Sequence, residues 1–219
     1  LYLQYDRADT VPSGGGETVV AQALSANYAF SVRNFDNLPF PTSGWGLGLE
    51  VGGGSTLGME RKPYTRLVTR GLAIVGLGEG RGTGQLALRG EAGAVLAEPD
   101  ALLPSTQLFL TGGDNTVRGY GLRSIGVQRS DGQLDAGRYL LAGSVEWQHP
   151  LQRPGMTDWD ATLFVDAGAV ADTPSALSAQ VGVGAGLRWR SPIGPLQIDL
   201  AYGVAVQRWR LHLNVGFNF

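Results

Sequence analysis

With 219 residues, 34 of them glycine, and only 16% charged, the chain is not composed like an ordinary soluble helical protein. A net charge of −2 offers no basic surface for a phosphate backbone, and the absence of cysteine removes disulfides, thiolate metal sites and thiol nucleophiles together. No run of about 18 apolar residues marks a membrane-spanning helix, yet 43% of the residues are hydrophobic. Alternation reconciles these facts, because a transmembrane β-barrel turns every second residue of a strand to lipid and the others to the lumen.

Taken in chain order, a short strand opens at 1–8. Leu24, Ala26, Tyr28, Phe30 and Val32 alternate with Ser25, Asn27, Ala29, Ser31 and Arg33, and Trp45, Leu47, Leu49 and Val51 with Gly46, Gly48, Glu50 and Gly52. Strict period two is the signature of a strand with unlike faces. Less regular strands are expected near 65–79, 83–97, 139–148 and 160–170. The pattern sharpens again in Val181 to Trp189, in Leu196 to Val204, and in Trp209, Leu211, Leu213, Val215, Phe217 and Phe219, which alternate with Arg210, His212, Asn214, Gly216 and Asn218. The expectation is an all-β, antiparallel transmembrane barrel with about ten strands visible. Trp45, Trp147, Trp189 and Trp209 fall near strand ends, where an aromatic girdle sits. A soluble antiparallel barrel also alternates, but the long strands with Gly and Ser as well as charge on their polar face, and the terminal aromatic, weigh against it.

The joints differ in length. Ser191-Pro192-Ile193-Gly194-Pro195 reads as a tight turn, and so does the link from Gly203 to Arg208. Residues 9–17, with Pro12 and Gly14-Gly15-Gly16, and 171–178, with Pro174, read as longer loops, so the two rims are expected to differ. Between Glu98 and about Gly137 lies a connection of roughly forty residues, and a loop that long usually has a task. Its glycines bracket Arg118, which suggests a loop that folds back and places the guanidinium; the plainer alternative is a disordered surface loop with an incidental Arg. Glu146 and Asp166, on the polar faces of the next strands, make a site for an Arg fork. Arg61, Lys62, Arg66 and Arg70 form a basic cluster that could face lipopolysaccharide or line the lumen, and that reads most simply as a solvated rim.

Gly112-Gly113-Asp114-Asn115-Thr116-Val117-Arg118-Gly119-Tyr120 resembles the VRGF/VRGY loop motif of the BamA/TamA superfamily of outer-membrane assembly factors, and Phe164-Val165-Asp166-Ala167-Gly168 its F-x-D-x-G strand motif, in the right order. The segment from Gly182 to Leu196 looks like the G-x-G-x-R-W-x-S-P-x-G-P stretch of TamA-type members. Asp36 to Gly44 resembles the family's D-x-x-x-x-P-x-x-G hairpin, and equally a plain Pro/Gly turn. Gly216 stands three residues before the end, where the family's closing signal has Gly five before it.

The resemblance implies a non-enzymatic protein of a Gram-negative outer membrane, or one of bacterial descent, that helps β-barrel or autotransporter clients fold and insert. It implies that residues 1–219 are the C-terminal part of a sixteen-stranded barrel, whose other strands, POTRA domains and signal peptide lie outside this chain; the alternative is that the ten strands close alone into a smaller barrel. It carries a loop latch onto Arg118, Gly119, Tyr120, Glu146, Phe164, Asp166 and Gly168, and a lateral seam onto Trp209, Leu211, Leu213, Val215, Phe217 and Phe219. The partners implied are the lipid bilayer, the clients and a periplasmic or inner-membrane protein of the TamB type. No metal or other cofactor is expected. The alternatives are a two-partner-secretion transporter, a passive porin, or a barrel hydrolase using His149 or His212; a lone His on a strand's polar face reads more simply as a lumen residue.

Overall fold

The computed structural model describes residues 1–10, 18–58, 60–78, 81–130, 132–192 and 194–216. The expectations for Pro12, Gly14 to Gly16, Ile193, Phe217 and Phe219 lie outside these residues. Ten strands form one antiparallel sheet: β1 (Tyr2–Thr10), β2 (Val19–Phe35), β3 (Gly44–Thr56), β4 (Pro63–Gly76), β5 (Gln85–Ala97), β8 (Tyr139–Pro150), β9 (Trp159–Ala171), β10 (Gln180–Ser191), β11 (Gly194–Gly203) and β12 (Arg208–Val215). A two-stranded ribbon, β6 (Val127–Gln128) with β7 (Leu134–Asp135), lies within the long connection. Each sheet strand pairs with its neighbours in chain order, so β1 and β12 are the edges.

Burial runs opposite to that of a soluble protein. On β9, Leu163 and Val165 are 55% and 51% exposed, while Thr162, Phe164 and Asp166 between them are at most 3% exposed. On β12, Trp209, Leu211, Leu213 and Val215 are exposed and His212 is buried. Apolar side chains therefore cover the outer face continuously, an area that only lipid satisfies. Trp45, Trp147, Trp159 and Trp189 share one rim, at the start of β3, the ends of β8 and β10 and the start of β9. Trp159 and Trp189 stack there with centroids 5.6 Å apart. Trp209 sits at the opposite rim against Tyr202.

Two details differ from the sequence reading. The strands overrun the alternating stretches: β3 continues through Gly52, Gly53 and Gly54 to Thr56, in register with β2. Ladder hydrogen bonds need no side-chain pattern, so pairing extends past the band where alternation is required. The rims are also more alike than expected. Residues 36–43, 77–84 and 151–158 on one rim match 57–62 and 172–179 on the other, and the contrast rests on 98–138. The expected five-residue joint after β10 shrinks to 192–193, because Ser191 and Gly194 pair directly.

The long connection packs on the inner face of the sheet. Ala101, Leu103 and Phe109 join Tyr64, Val68, Val95, Leu140, Ala142 and Val170 in one apolar cluster, and Val117, Tyr120 and Ile125 form another. Phe109 bridges to Gly137 and Thr111 to Ile125, so the connection carries its own ladder. Lumen-facing polar walls thus acquire an apolar filling supplied by the chain itself.

Candidate functional site: the lumen loop and the edge strand

Arg118 reaches the wall at the centre of β8–β11, where alternation brings acidic side chains inward. Its Nε and Nη2 donate to the two oxygens of Asp166, at 2.8 and 2.9 Å, and its backbone N–H donates to the same carboxylate at 3.0 Å. Nη1 donates to Glu146 at 2.6 Å and to Asp199 at 3.0 Å, and Nη2 also donates to Ser144 at 3.3 Å. All five donors of the fork are engaged. The guanidinium carbon also lies over the Phe164 ring, 3.4 Å from its centroid.

A second arginine completes the cluster. Arg188 on β10 donates to both oxygens of Glu146, at 2.7 and 3.1 Å, and to Asp199 at 2.6 and 3.1 Å. Arg89 stands beside them and donates to the carbonyl of Thr116. Three arginines thus face the three carboxylates Glu146, Asp166 and Asp199, and the buried charges balance. Burying a charge is tolerable only with such pairing.

The backbone of the loop fits as closely as its side chains. A Cβ on Gly182 would stand 1.8 Å from the Arg118 carbonyl oxygen, and one on Gly168 would stand 2.6 Å from the Val117 side chain. Gly119 has φ +90 and its ideal Cβ would meet β11 backbone at Gly203. The buried Tyr120 hydroxyl accepts the Ala205 N–H at 3.2 Å and donates to the Val181 carbonyl at 3.3 Å. Beyond, the loop touches the edge strand: Gly119 N–H donates to His212 Nε2 at 2.9 Å, and Asn214 donates to Asn115 at 2.8 Å. At the other edge, Gln107 donates to Asp6 of β1 at 2.6 Å.

The structure therefore places Arg118, Glu146, Phe164 and Asp166 in one cluster, with Gly119, Tyr120 and Gly168 at its border. Trp209, Leu211, Leu213 and Val215 lie apart from it, on the outer face of β12. Arg188 lies in the Gly182 to Leu196 segment with no role of its own in the sequence reading, Asp199 is not singled out there, and His212 is expected only as a lumen residue; all three belong to the site. Each sits on an inward position, and the register Asp199↔His212 between β11 and β12 brings the last two together. Arg66 of the supposed basic rim points inward, with Nε donating to the Gln107 carbonyl and Nη1 to Glu50. Lys62 does sit at the rim, but it pairs with Asp100, Glu98 and Glu60 rather than standing free. The Asp100 carboxyl lies below the usual carboxylate range because Lys62 donates to it.

A cavity of about 650 Å³ lies between the cluster and the rim that carries Thr42, Gly84 and Pro150, lined also by Gln85, Gln148, Asp160, Arg190 and Gln197. Among the described residues, no group of His, Asp and Glu is arranged to hold a metal ion. Chemically, the site is a docking surface that fixes one loop to a wall.

Comparison with known proteins fits this geometry. Residues 4–219 match the Omp85 superfamily domain. The chain is 34% identical over 113 residues to outer envelope protein 39 of Arabidopsis thaliana chloroplasts, covering 47% of this chain and 28% of that protein. It is 28% identical over 121 residues to the chloroplast outer envelope protein 80 of the same plant, covering 50% of this chain and 15% of that one. With the outer membrane protein assembly factor BamA of Neorickettsia risticii it shares 29% over 97 residues, 40% of this chain and 13% of the other. The matched stretches thus span under a third of each relative. The crystal structure of Haemophilus ducreyi BamA lacking POTRA domains 1–3 superposes with a TM-score of 0.69 at 20% identity, over 94% of this chain and 44% of that one, which speaks to the fold. An inverted, lipid-ready surface and a domain match over nearly the whole length lead to one conclusion: the chain belongs to the Omp85 superfamily, as a β-barrel protein of the outer membrane of a Gram-negative bacterium or of an organelle of bacterial descent.

Proposed function

We propose that residues 1–219 form the C-terminal barrel portion of an outer-membrane assembly factor, which helps β-barrel clients, autotransporters among them, to fold and insert. In a chain of the Omp85 superfamily, the observation that carries this reading is the place of β12 between the inserted loop and the apolar outer face. Among the described residues it pairs with β11 alone, its outer face is apolar, and its inner face meets the inserted loop. A strand edge in lipid leaves backbone donors and acceptors unsatisfied, so an incoming client strand that pairs with it relieves a penalty. Strand addition of this kind draws affinity from main-chain hydrogen bonds and tolerates varied client sequences. The Arg118 cluster holds the loop, and through it the wall near β12, in place during that exchange. The likeness to BamA, named an outer membrane protein assembly factor, supports the same reading. The Gly182 to Leu196 segment favours a TamA-like member working with a TamB-type partner. A passive porin is disfavoured by the apolar clusters that fill the inner face.

The test is reconstitution. The full-length protein in liposomes should accelerate membrane insertion of an unfolded client barrel several-fold over empty liposomes. Insertion no faster than in empty liposomes, together with a steady ion conductance, would overturn the proposal in favour of the porin.

A further inference from the structure

His212 is the one titratable side chain on β12 that is buried, and it lies between the loop and the edge strand. Its two nitrogens have different partners. Nε2 accepts the backbone N–H of Gly119 at 2.9 Å, and Nδ1 meets the Asp114 carboxylate. A backbone N–H can only donate, so Nε2 must carry a lone pair. The carboxylate can only accept, so Nδ1 must carry the proton. These two unambiguous partners specify one tautomer, neutral with hydrogen on Nδ1. The charged groups around the ring are Asp114 and Arg118 from the loop, Asp199 from β11 with Arg188 bonded to it, and Arg210 from β12 itself.

We infer that His212 is a positioning residue that clasps the inserted loop to the edge strand. It extends the Arg118 cluster, through Gly119, to the last strand. While the imidazole accepts from Gly119, β12 cannot move from the inner wall without breaking a buried hydrogen bond. Replacing the lone pair by a second N–H would set donor against donor and open the same contact. The inference rests on the reading of β12 as the strand that yields to clients, but the clasp itself can be tested separately from assembly.

Asn115 and Asn214 touch next to the clasp, and the chain has no native cysteine. In the full-length protein, otherwise free of thiols, crosslinking of the Asn115→Cys, Asn214→Cys pair reports the loop–strand contact. Its yield should fall about fivefold with His212→Ala, the loss of one buried hydrogen bond, and hold with His212→Gln, whose side-chain oxygen restores the acceptor. Asp114→Ala, which leaves Nδ1 without its acceptor, should lower the yield while native gel mobility stays that of a folded barrel. In ¹⁵N-histidine spectra, the resonance lost in His212→Gln should show a protonated Nδ1 and a bare Nε2. An unchanged yield in His212→Ala, or a protonated Nε2, overturns the clasp. A reduced yield with client insertion unaltered upholds the clasp and overturns the seam reading.

Discussion

A guanidinium buried to 3% exposure is stable only because every donor has an acceptor, and Arg118 shows how alternation delivers them. Ser144, Glu146, Asp166 and Asp199 come from three strands, each from an inward position. Arg118→Ala would take from Asp166 the guanidinium that pairs it, while Arg188 would still hold Glu146 and Asp199, at a cost of about 3–5 kcal/mol typical of a broken buried pair. Heat-modifiable gel mobility should show the folded band lost at a clearly lower temperature. Arg118→Lys should recover little, since an ammonium with three donors cannot span Asp166, Glu146 and Asp199 together. On the exposed 36–43 turn, Asp36 accepts from the Thr42 hydroxyl and backbone, and the hydroxyl bond holds its carboxyl at about 2. A depressed carboxyl adds order above its unfolded value of 3.8 and loses it as pH falls through about 2. Hydrogen exchange at the Thr42 amide should therefore stay slow at pH 4, once corrected for intrinsic rate, and lose protection near pH 2. Arg118, Glu146 and Asp166 were legible in the sequence because the loop motif and the strand parity pointed to them. His212 was legible as a lumen residue, but its meeting with Asp199 was not, because that depends on the strand register set by the 192–193 and 204–207 turns.

At the level of the strand, the same residue type has opposite value on the two faces. Leu200 points outward and Gln197, on the same strand, borders the lumen cavity. Leu200→Arg should cost about 2–4 kcal/mol if it sits near the bilayer midplane, whereas Gln197→Arg should be nearly neutral. Urea refolding into lipid vesicles distinguishes them. Gly182 makes the complementary point, since its missing side chain is what lets the Arg118 carbonyl approach β10. Gly182→Ala should loosen the loop, seen as faster proteolysis between residues 98 and 138, while the barrel persists. The number and order of strands were readable from alternation, which is a constraint of the lipid. Their true ends were not, because β2 and β3 extend where only backbone pairing continues.

The whole molecule is an inside-out protein with its polar network and its apolar filling both in the lumen. One inserted connection reaches from Asp6 on β1 to His212 on β12, so it braces the sheet from edge to edge. That a long loop would fold inward around Arg118 could be read from its glycines; that its residues 101–125 would also build apolar clusters on the inner wall could not, since Ala101, Leu103 and Phe109 acquire a partner face only when β4, β5, β8 and β9 curve around them. The central claim is that client strands add to β12. Photocrosslinking probes placed one at a time along β12 and along the interior strand β10, in cells with a client arrested during assembly, test this directly. Adducts are expected between β12 and the client's terminal strand, at shifting positions consistent with strand pairing, and none from β10. Equal crosslinking from both strands, or adducts confined to the lumen loop, would contradict it.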